Sequence, residues 1–335
     1  MSLMVAYLGI VAVLALALNA RVLGEWLGLM DDPANEAHKE HLISTPLVGA
    51  LMVGVLAVFI IINQYFFGAS TRMIGISVCT ILVGILGVID DRMQLSWQMR
   101  IIAIGGITTL LVCWVPEMRL ESLVWSFGMT SALGKYAGAV FAIMCLMTII
   151  IAFNMMDGFN GGVIGLSIIL FVIMALVATN PHRQAICLFL ASALGVMFIY
   201  NMKGEFFLGD GGAYALGLLV GAVALLTYNA GANIIIYADT IFVWLALPTL
   251  DCLRVVITRR SGKASPFYAS RDHLHHILIE ATGAKRTMLI YALIVATFSG
   301  LSLVAGERTY FIFLAEVLCL ILVIFSTRKR KVTTG

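Results

Sequence analysis

The chain has 335 residues, of which 61% are hydrophobic and 12% are charged, and its mean hydropathy is +1.02. A soluble domain usually carries roughly 25% charged residues, so this composition excludes an ordinary soluble protein and predicts that lipid surrounds most of the chain. The net charge of +3 is too small to indicate binding to nucleic acid.

A helix that spans a bilayer needs about 20 predominantly apolar residues. This criterion predicts about eleven transmembrane helices, at 3–23, 47–67, 72–89, 99–115, 136–153, 162–179, 184–201, 213–229, 234–252, 287–305 and 309–327. We therefore expect an all-α integral membrane protein with a single polytopic domain over 1–335. Between the fourth and fifth helices, at 116–135, we expect an interfacial loop or a short amphipathic segment.

The basic residues divide unequally between the two sides of this predicted bundle. All but five of the 21 Lys and Arg residues fall on one side, and the five exceptions are Arg72, Arg119, Lys135, Arg183 and Arg308. The positive-inside rule makes the first side cytoplasmic, which places the N-terminus outside, in the periplasm, and the C-terminus in the cytoplasm. Most acidic loop residues also fall on this side, so we expect an active-site cleft at the cytoplasmic face.

Adjacent carboxylates, Asp90 and Asp91, end the third predicted helix. Neighbouring carboxylates repel each other and are tolerated when water solvates them or when a cation lies between them. A solvated helix end explains this pair equally well by itself. The metal interpretation gains weight because carboxylates recur at the ends of other helices on the same side.

Glycine-flanked carboxylates follow the fifth and seventh predicted helices. Asp157 lies in a segment that begins at Asn154 and includes Asn160, and Asp210 lies three residues after Phe207. Glycine lets the backbone approach a ligand closely, and Asn and Asp oxygens are good ligands for hard cations. Three loops that present Asp to one face predict a Mg²⁺–pyrophosphate site, where Phe207 either stacks on a base or packs at the membrane surface.

The predicted cytoplasmic loop at 253–286 is the longest and most basic. It contains Arg259 and the run Arg271-Asp272-His273-Leu274-His275-His276. Clustered histidines are compatible with zinc, but a convincing fourth ligand is missing and the arginines favour an anion. We expect this loop to recognise phosphate or sugar, with a solvated basic loop as the alternative. Just before it, Asp251 and Arg254 predict a structural ion pair.

Together these motifs resemble the polyprenyl-phosphate N-acetylhexosamine-1-phosphate transferases. Five motifs occur in the order of that family: His-Lys-Glu-His with Thr-Pro-Leu-Val-Gly at 38–49, the pair at 90–91, Asn-x-x-Asp-Gly-x-x-Gly at 154–161, Phe-Leu-Gly-Asp-Gly-Gly at 207–212, and the histidines at 273–276. The split of the histidines by Leu274 is similar to the subgroup that uses UDP-N-acetylglucosamine (UDP-GlcNAc).

The resemblance implies a multi-pass enzyme of the bacterial inner membrane. It would transfer N-acetylglucosamine-1-phosphate to undecaprenyl phosphate and so start a lipid-linked envelope glycan, such as O-antigen of lipopolysaccharide. The implied cofactor is Mg²⁺, with Mn²⁺ able to substitute. The implied partners are the UDP-N-acetylhexosamine, undecaprenyl phosphate and membrane lipids, and a homodimer is left open.

The resemblance also assigns roles to residues of this chain. The implied catalytic residues are Asp90, Asp91, Asp157 and Asp210, and the implied metal ligands are Asp210, Asn154, Asp157 and Asp91. The implied substrate contacts are Lys39, His41, Asn154, Asn160, Asn201, Phe207, Arg259, Arg271, His273, His275 and His276. Whether Asp90 and Asp91 act as a base or organise the metal stays open, because a phosphate monoester has a second pKa of about 6 and is mostly ionised at pH 7.

Three alternative functions stay open. Asn160 stands where many members of the family have Asp, so another donor such as UDP-N-acetylfucosamine is an alternative. A phospho-MurNAc-pentapeptide transferase is disfavoured by Leu274, because those enzymes have three consecutive histidines. A cation-coupled transporter would place its carboxylates near the bilayer midplane, whereas these lie at helix ends.

Overall fold

A computed structural model describes residues 1–32, 44–68, 71–229, 234–261 and 273–333. Within these ranges the chain is mostly helical, as predicted. The helices are α1 (Leu3–Leu18), α2 (Ala20–Leu27), α3 (Gly49–Phe67), α4 (Thr71–Met93), α5 (Trp97–Trp114), α6 (Gly134–Met156), α7 (Gly162–Val177), α8 (Pro181–Met202), α9 (Gly209–Asn229), α10 (Ala238–Ser261), α11 (Leu274–Thr282), α12 (Ala284–Ala305) and α13 (Thr309–Thr333). The strands form two antiparallel pairs, β1 (Met30–Asp31) with β2 (Thr45–Pro46), and β3 (Ser122–Val124) with β4 (Thr130–Ala132).

Each transmembrane segment predicted from the sequence coincides with a helix. Within the described ranges, eight segments are long and apolar enough to cross a membrane, counting α12 and α13 together as Ala284–Thr327. The predicted span at 3–23 is divided into α1 and α2, between which the chain bends by 72°. A multi-pass membrane protein is confirmed, while the count of eleven spans and the orientation stay predictions.

Two predicted loops contain regular structure. In 116–135 a short 3₁₀ helix at Pro116–Met118 precedes the β3–β4 hairpin, so the expected loop or amphipathic segment is a hairpin. In 253–286, α10 continues to Ser261 and α11 fills Leu274–Thr282, so these parts of the predicted loop are helical. Residues 262–272 lie outside the described ranges.

The central helix of the bundle is α9, which packs against α3, α4, α6 and α7. Of the eight candidate spans it has the largest buried share, 94%. Small residues explain this burial, because they let neighbouring helices approach its backbone. A Cβ added to Gly217, for example, would lie 2.8 Å from the Cα of Ile150 in α6. The two ends of α9 are therefore held firmly in the fold.

We call the end of the bundle that carries β3 and β4 the hairpin end. A buried carboxylate, that of Asp239, stabilises it by hydrogen bonds. Asp239, at the start of α10, accepts the N–H of Ser126 at 3.0 Å and the hydroxyl of the same residue. The Ser126 Oγ in turn accepts the N–H of Tyr310 at the start of α13, at 3.0 Å. Asp239 therefore links the hairpin to two helices.

Candidate active site

The opposite end of the bundle, where α4 and α6 end and α9 begins, carries the predicted carboxylates, and we call it the acidic end. Here α4 and α9 touch through glycines. A Cβ added to Gly87 of α4 would collide with the backbone of Gly211, and one added to Gly211 would lie 2.8 Å from the carbonyl oxygen of Gly84. This close approach brings the last turn of α4 against the first turn of α9.

Asp91 uses this contact to cap α9. Its Oδ1 accepts the N–H of Asp210 at 3.0 Å, and its Oδ2 accepts the N–H of Gly211 at 3.3 Å. The first N–H groups of a helix have no intrahelical partner and carry a partial positive charge, so a carboxylate stabilises them. Asp91 therefore fixes the start of α9.

Asp210, Asn154 and Asp157 come together beside this cap. The Nδ2 of Asn154 donates to the Oδ1 of Asp210 at 2.7 Å. Burial, followed by the negative charges of Asp210 and Asp91, raises the pKa of Asp157 well above its usual range. A carboxylate whose pKa is raised by neighbouring negative charges lies in an electrostatic environment that a bound cation stabilises.

Asp90 has different surroundings, although it is the sequence neighbour of Asp91. Its Oδ1 accepts the N–H of Leu95 at 2.9 Å, and its Oδ2 accepts the hydroxyl of Tyr214 at 2.8 Å and the Nε of Arg100 at 2.8 Å. The residue is 1% exposed. Its two oxygens thus accept three hydrogen bonds from the protein, an arrangement that the sequence did not reveal.

The predicted ion pair of Asp251 and Arg254 is confirmed, with Nη2 and Oδ1 2.7 Å apart. The same carboxylate accepts the N–H of Leu274 and lies 3.0 Å from the Nδ1 of His273. Asp251 therefore fixes the start of α11 and the histidines that follow.

His275 lies in the first turn of α11 and contacts the loop that carries Asp157. A Cβ added to Gly158 would collide with its imidazole ring, so the histidine and the Asp157 loop meet because Gly158 has no side chain. Both ring nitrogens are buried without a hydrogen-bond partner among the described residues. Burial first, then the neighbouring His276 and His273, lowers the pKa of His275 to about 3. The ring is therefore neutral at physiological pH.

Asn201 joins two loops of the acidic end, and its predicted contact with substrate stays a prediction. It is 3% exposed, its Oδ1 accepts the N–H of Gly161 at 2.6 Å, and its Nδ2 donates to the carbonyl of Phe206 at 2.9 Å. These bonds join the Asp157 loop to the segment before α9, so Asn201 holds the two loops together. Asn160 and Phe207 are half-buried in the same two segments.

Three predicted substrate contacts, Lys39, His41 and Arg271, lie outside the described residues, as does the side chain of Arg259. Two residues of the acidic end were missed. Tyr214 follows Asp210 by four residues, the spacing that puts two side chains on one helix face, and this signal was readable. Arg100 lies in the first turn of α5, an otherwise apolar helix, so nothing in the sequence marked it as the partner of Asp90.

The donor set fits Mg²⁺. Among the described residues no three His, Cys, Asp or Glu side chains are grouped to hold a metal alone. Magnesium, however, is usually held by one or two carboxylates and completes its shell with water and substrate phosphates. Asp210 and Asp157 provide two carboxylates, and the oxygen of Asn154 is not used in its bond to Asp210.

The chain is similar to known proteins over the region that builds this site. Residues 73–228 match the profile of Glycosyl transferase family 4. The Undecaprenyl-phosphate alpha-N-acetylglucosaminyl 1-phosphate transferase of Yersinia pestis is 27% identical over 306 residues, which cover 88% of this chain and 81% of the relative. The protein of the same name from Escherichia coli (strain K12) is 24% identical over 303 residues, 88% and 80% of the two chains.

A third relative comes from Bacillus subtilis (strain 168). This Probable undecaprenyl-phosphate N-acetylglucosaminyl 1-phosphate transferase is 27% identical over 314 residues, which cover 92% of this chain and 85% of the relative. The matched region contains Asp90, Asp91, Asp157 and Asp210, and the fold brings these residues to one end of the bundle. The chain therefore contains a segment that matches glycosyl transferase family 4, and it is a membrane-embedded phosphoglycosyltransferase.

Proposed function

We propose that this protein transfers N-acetylglucosamine-1-phosphate from UDP-GlcNAc to undecaprenyl phosphate, releases UMP and so starts a lipid-linked envelope glycan such as O-antigen. The observation that carries the proposal is the meeting of Asp157, Asp210 and His275 at one end of a membrane bundle. The names of the relatives support the choice of donor and acceptor. The excess of basic residues supports a cytoplasmic position for this end in the inner membrane.

In this reaction an oxygen of the lipid phosphate forms a bond to the sugar-bearing phosphorus, and the bond from that phosphorus to the UMP oxygen breaks. Such a transfer depends mainly on positioning and on neutralising charge. A bound Mg²⁺ would neutralise the pyrophosphate. Asp210 and Asp157 would hold the ion, Asn154 orients Asp210 by its hydrogen bond, and Asp91 fixes the helix that carries Asp210.

His275 is suited to bind a polar group of the donor without carrying charge. Two buried ring nitrogens without partners are unfavourable unless a ligand supplies hydrogen bonds, because an unpaired buried polar atom costs about 1–3 kcal/mol. As a neutral ring, His275 offers one donor and one acceptor, a combination that matches a sugar hydroxyl or acetamide.

An apolar cavity supports a lipid acceptor. It has a volume of about 370 Å³ and lies between α6, α9 and α10, running from Leu123 of the hairpin to Thr148 and Thr249. Thr249 precedes Asp251 by two residues in α10. The cavity therefore ends close to the carboxylate that bonds His273. A stretch of isoprenoid chain could lie in this cavity while its phosphate reaches the acidic end.

The test is an assay of purified protein with radiolabelled UDP-GlcNAc and undecaprenyl phosphate, with Mg²⁺ or with EDTA. We expect label in the lipid fraction only with the metal, and UMP as the water-soluble product. Parallel reactions with UDP-N-acetylfucosamine, UDP-N-acetylgalactosamine and UDP-MurNAc-pentapeptide measure donor choice. Transfer from one of these donors and not from UDP-GlcNAc would overturn the proposed donor, and no lipid-linked label with any donor would overturn the proposed reaction.

A further inference from the structure

Asp90 and Asp91 hold α9 at two successive turns. Asp91 accepts the N–H groups at the very start of the helix, and Asp90 accepts the hydroxyl of Tyr214, one turn further on. Residues four apart lie above one another on a helix face, so Tyr214 lies below Asp210 on the side that faces α4. Two contacts at different heights fix the rotation of α9 about its axis, which a single cap cannot do.

Arg100 completes this arrangement from α5. Its Nε lies 2.8 Å from Asp90 and also donates to the carbonyl of Leu95 at 3.0 Å. The side chain of Asp90 is fully buried and that of Arg100 is about one-third exposed, so the ion pair joins the interior to the surface. A buried carboxylate needs such a partner, because an uncompensated buried charge is strongly destabilising.

The turn between α4 and α5 depends on the same carboxylate. Gln94 has φ of 49°, a left-handed conformation that is uncommon for a residue other than glycine. The next N–H, that of Leu95, donates to Asp90, and the carbonyl of Leu95 accepts from Arg100. A strained backbone persists only where its surroundings determine it, so these bonds hold the turn in place.

We propose that Asp90, Arg100 and Tyr214 form a positioning device, the α9 bracket, which sets the orientation of Asp210, and that Asp90 does not take a proton from the substrate. The geometry supports both parts, because Asp90 is buried and its two oxygens accept three protein donors. Asp210 then belongs to the chemistry, while Asp90 and Asp91 act through the helix that carries it. The kinetic part of this inference rests on the proposed function.

The first test is Tyr214→Phe, which removes the hydroxyl and keeps the ring. We expect kcat to fall roughly 10- to 100-fold with KM for UDP-GlcNAc little changed, because small displacements of a positioned group reduce rate more than binding. The matched control is Asn229→Ala, at the other end of the same helix. The Nδ2 of Asn229 also makes two hydrogen bonds, to the carbonyls of Glu117 and Arg119, and Asn229 does not line the apolar cavity, so its loss changes stability and leaves kcat unchanged.

The second test separates positioning from proton transfer. Asp90→Asn keeps the size of the side chain but cannot act as a base. The bracket predicts that the pH profile of kcat/KM keeps its wild-type shape, and that adding Tyr214→Phe to Asp90→Asn lowers kcat little further, since both changes break one contact. If the rise of kcat/KM toward alkaline pH were lost in Asp90→Asn and intact in Tyr214→Phe, the inference would be overturned, and Asp90 would be a catalytic base.

Hydrogen exchange of the full-length protein in detergent tests the bracket without any substrate. We expect the amides of Asp210 and Gly211 to exchange at least about tenfold faster in Tyr214→Phe than in the wild type, and Asn229→Ala to leave them unchanged. Unchanged exchange in Tyr214→Phe would overturn the bracket even if activity fell. A wild-type protein with no transferase activity would instead refute the proposed function, while exchange would still decide the bracket.

Discussion

The acidic end and the hairpin end of the bundle both depend on buried carboxylates, but they use them in different ways. At the hairpin end Asp239 accepts hydrogen bonds from the N–H and the hydroxyl of Ser126, and the Oγ of Ser126 accepts one from the N–H of Tyr310. At the acidic end Asp157 lies near Asp210 and Asp91, and the shared negative charge raises its pKa. The first arrangement is complete within the protein, whereas the second becomes favourable when a cation is added.

This difference separates structural carboxylates from candidate chemical ones more sharply than burial does. Asp90 is more buried than Asp157, yet its partners resemble those of Asp239, because protein donors satisfy it. A carboxylate with its hydrogen bonds filled has little capacity left for a ligand. Substitution of these carboxylates should therefore lower activity at the acidic end and stability at the hairpin end.

The largest effect is expected for Asp210→Asn. Asparagine keeps the size of the side chain and its contact with Asn154, but it removes a carboxylate from the proposed Mg²⁺ ligands. We expect transfer to fall at least about 100-fold, the size of effect typical when a group that stabilises developing charge is lost. The measurement is the lipid-linked label per milligram of protein at saturating Mg²⁺. Unaltered melting temperature is the control, and wild-type activity would exclude Asp210 from the site.

Asp157→Asn should lower activity and at the same time stabilise the metal-free protein. The folded-state pKa of Asp157 is raised, so the folded protein prefers the protonated form and loses stability as pH rises from the ordinary pKa of about 3.9 through the raised one. Asparagine removes that penalty. In EDTA at pH 8 the variant should melt a few degrees above the wild type, and added Mg²⁺ should stabilise the wild type more than the variant.

The opposite result would be informative at Asp157. A lower melting temperature for Asp157→Asn in EDTA would mean that the carboxylate is satisfied by protein groups, as Asp239 is. In that case Asp157 would move from the proposed metal ligands to the structural residues, and the contrast between the two ends would fail.

Asp239→Ala should lower the stability of the protein and leave its activity almost unchanged. It leaves the N–H and hydroxyl of Ser126 without their buried acceptor, which should destabilise the protein by about 1–3 kcal/mol. Activity of the folded fraction at low temperature should stay close to wild type, because the hairpin end is the far end of α9. Melting temperature and specific activity, measured on the same preparation, check this prediction. A large loss of specific activity without unfolding would show that the hairpin end takes part in transfer.

Much of this architecture was readable from the sequence, because apolar length fixes a membrane helix and the acidic motifs sit at helix ends. The convergence of Asp91, Asn154, Asp157 and Asp210 followed from placing those ends on one side. The division of work inside the Asp90–Asp91 pair did not follow. Adjacent helical residues point about 100° apart, and only the packing of α4 on α9 decides which of them meets a backbone and which meets Tyr214.

The loops were harder to predict for a related reason. Asn201 is predicted to contact substrate, but nothing in the sequence indicates that its amide also bonds the backbone of Gly161 and Phe206. The hairpin at 122–132 consists of two three-residue strands, too short for a pattern of alternating polarity to stand out. Tertiary hydrogen bonds, rather than local propensity, determine both features.

The smallest effect concerns the dependence of stability on pH at His275. Its pKa of about 3 in the folded protein lies below the ordinary value of about 6.5, so the unfolded chain binds a proton that the folded protein rejects, and stability falls as pH falls below about 6.5. At pH 5.5 this linkage should destabilise the wild type by about 1.4 kcal/mol. His275→Asn cannot titrate, so it should lose less stability than the wild type between pH 7.5 and pH 5.5. His276→Asn is the control that leaves the buried ring in place, and equal losses in the wild type and His275→Asn would show that His275 is accessible to protons in the folded protein.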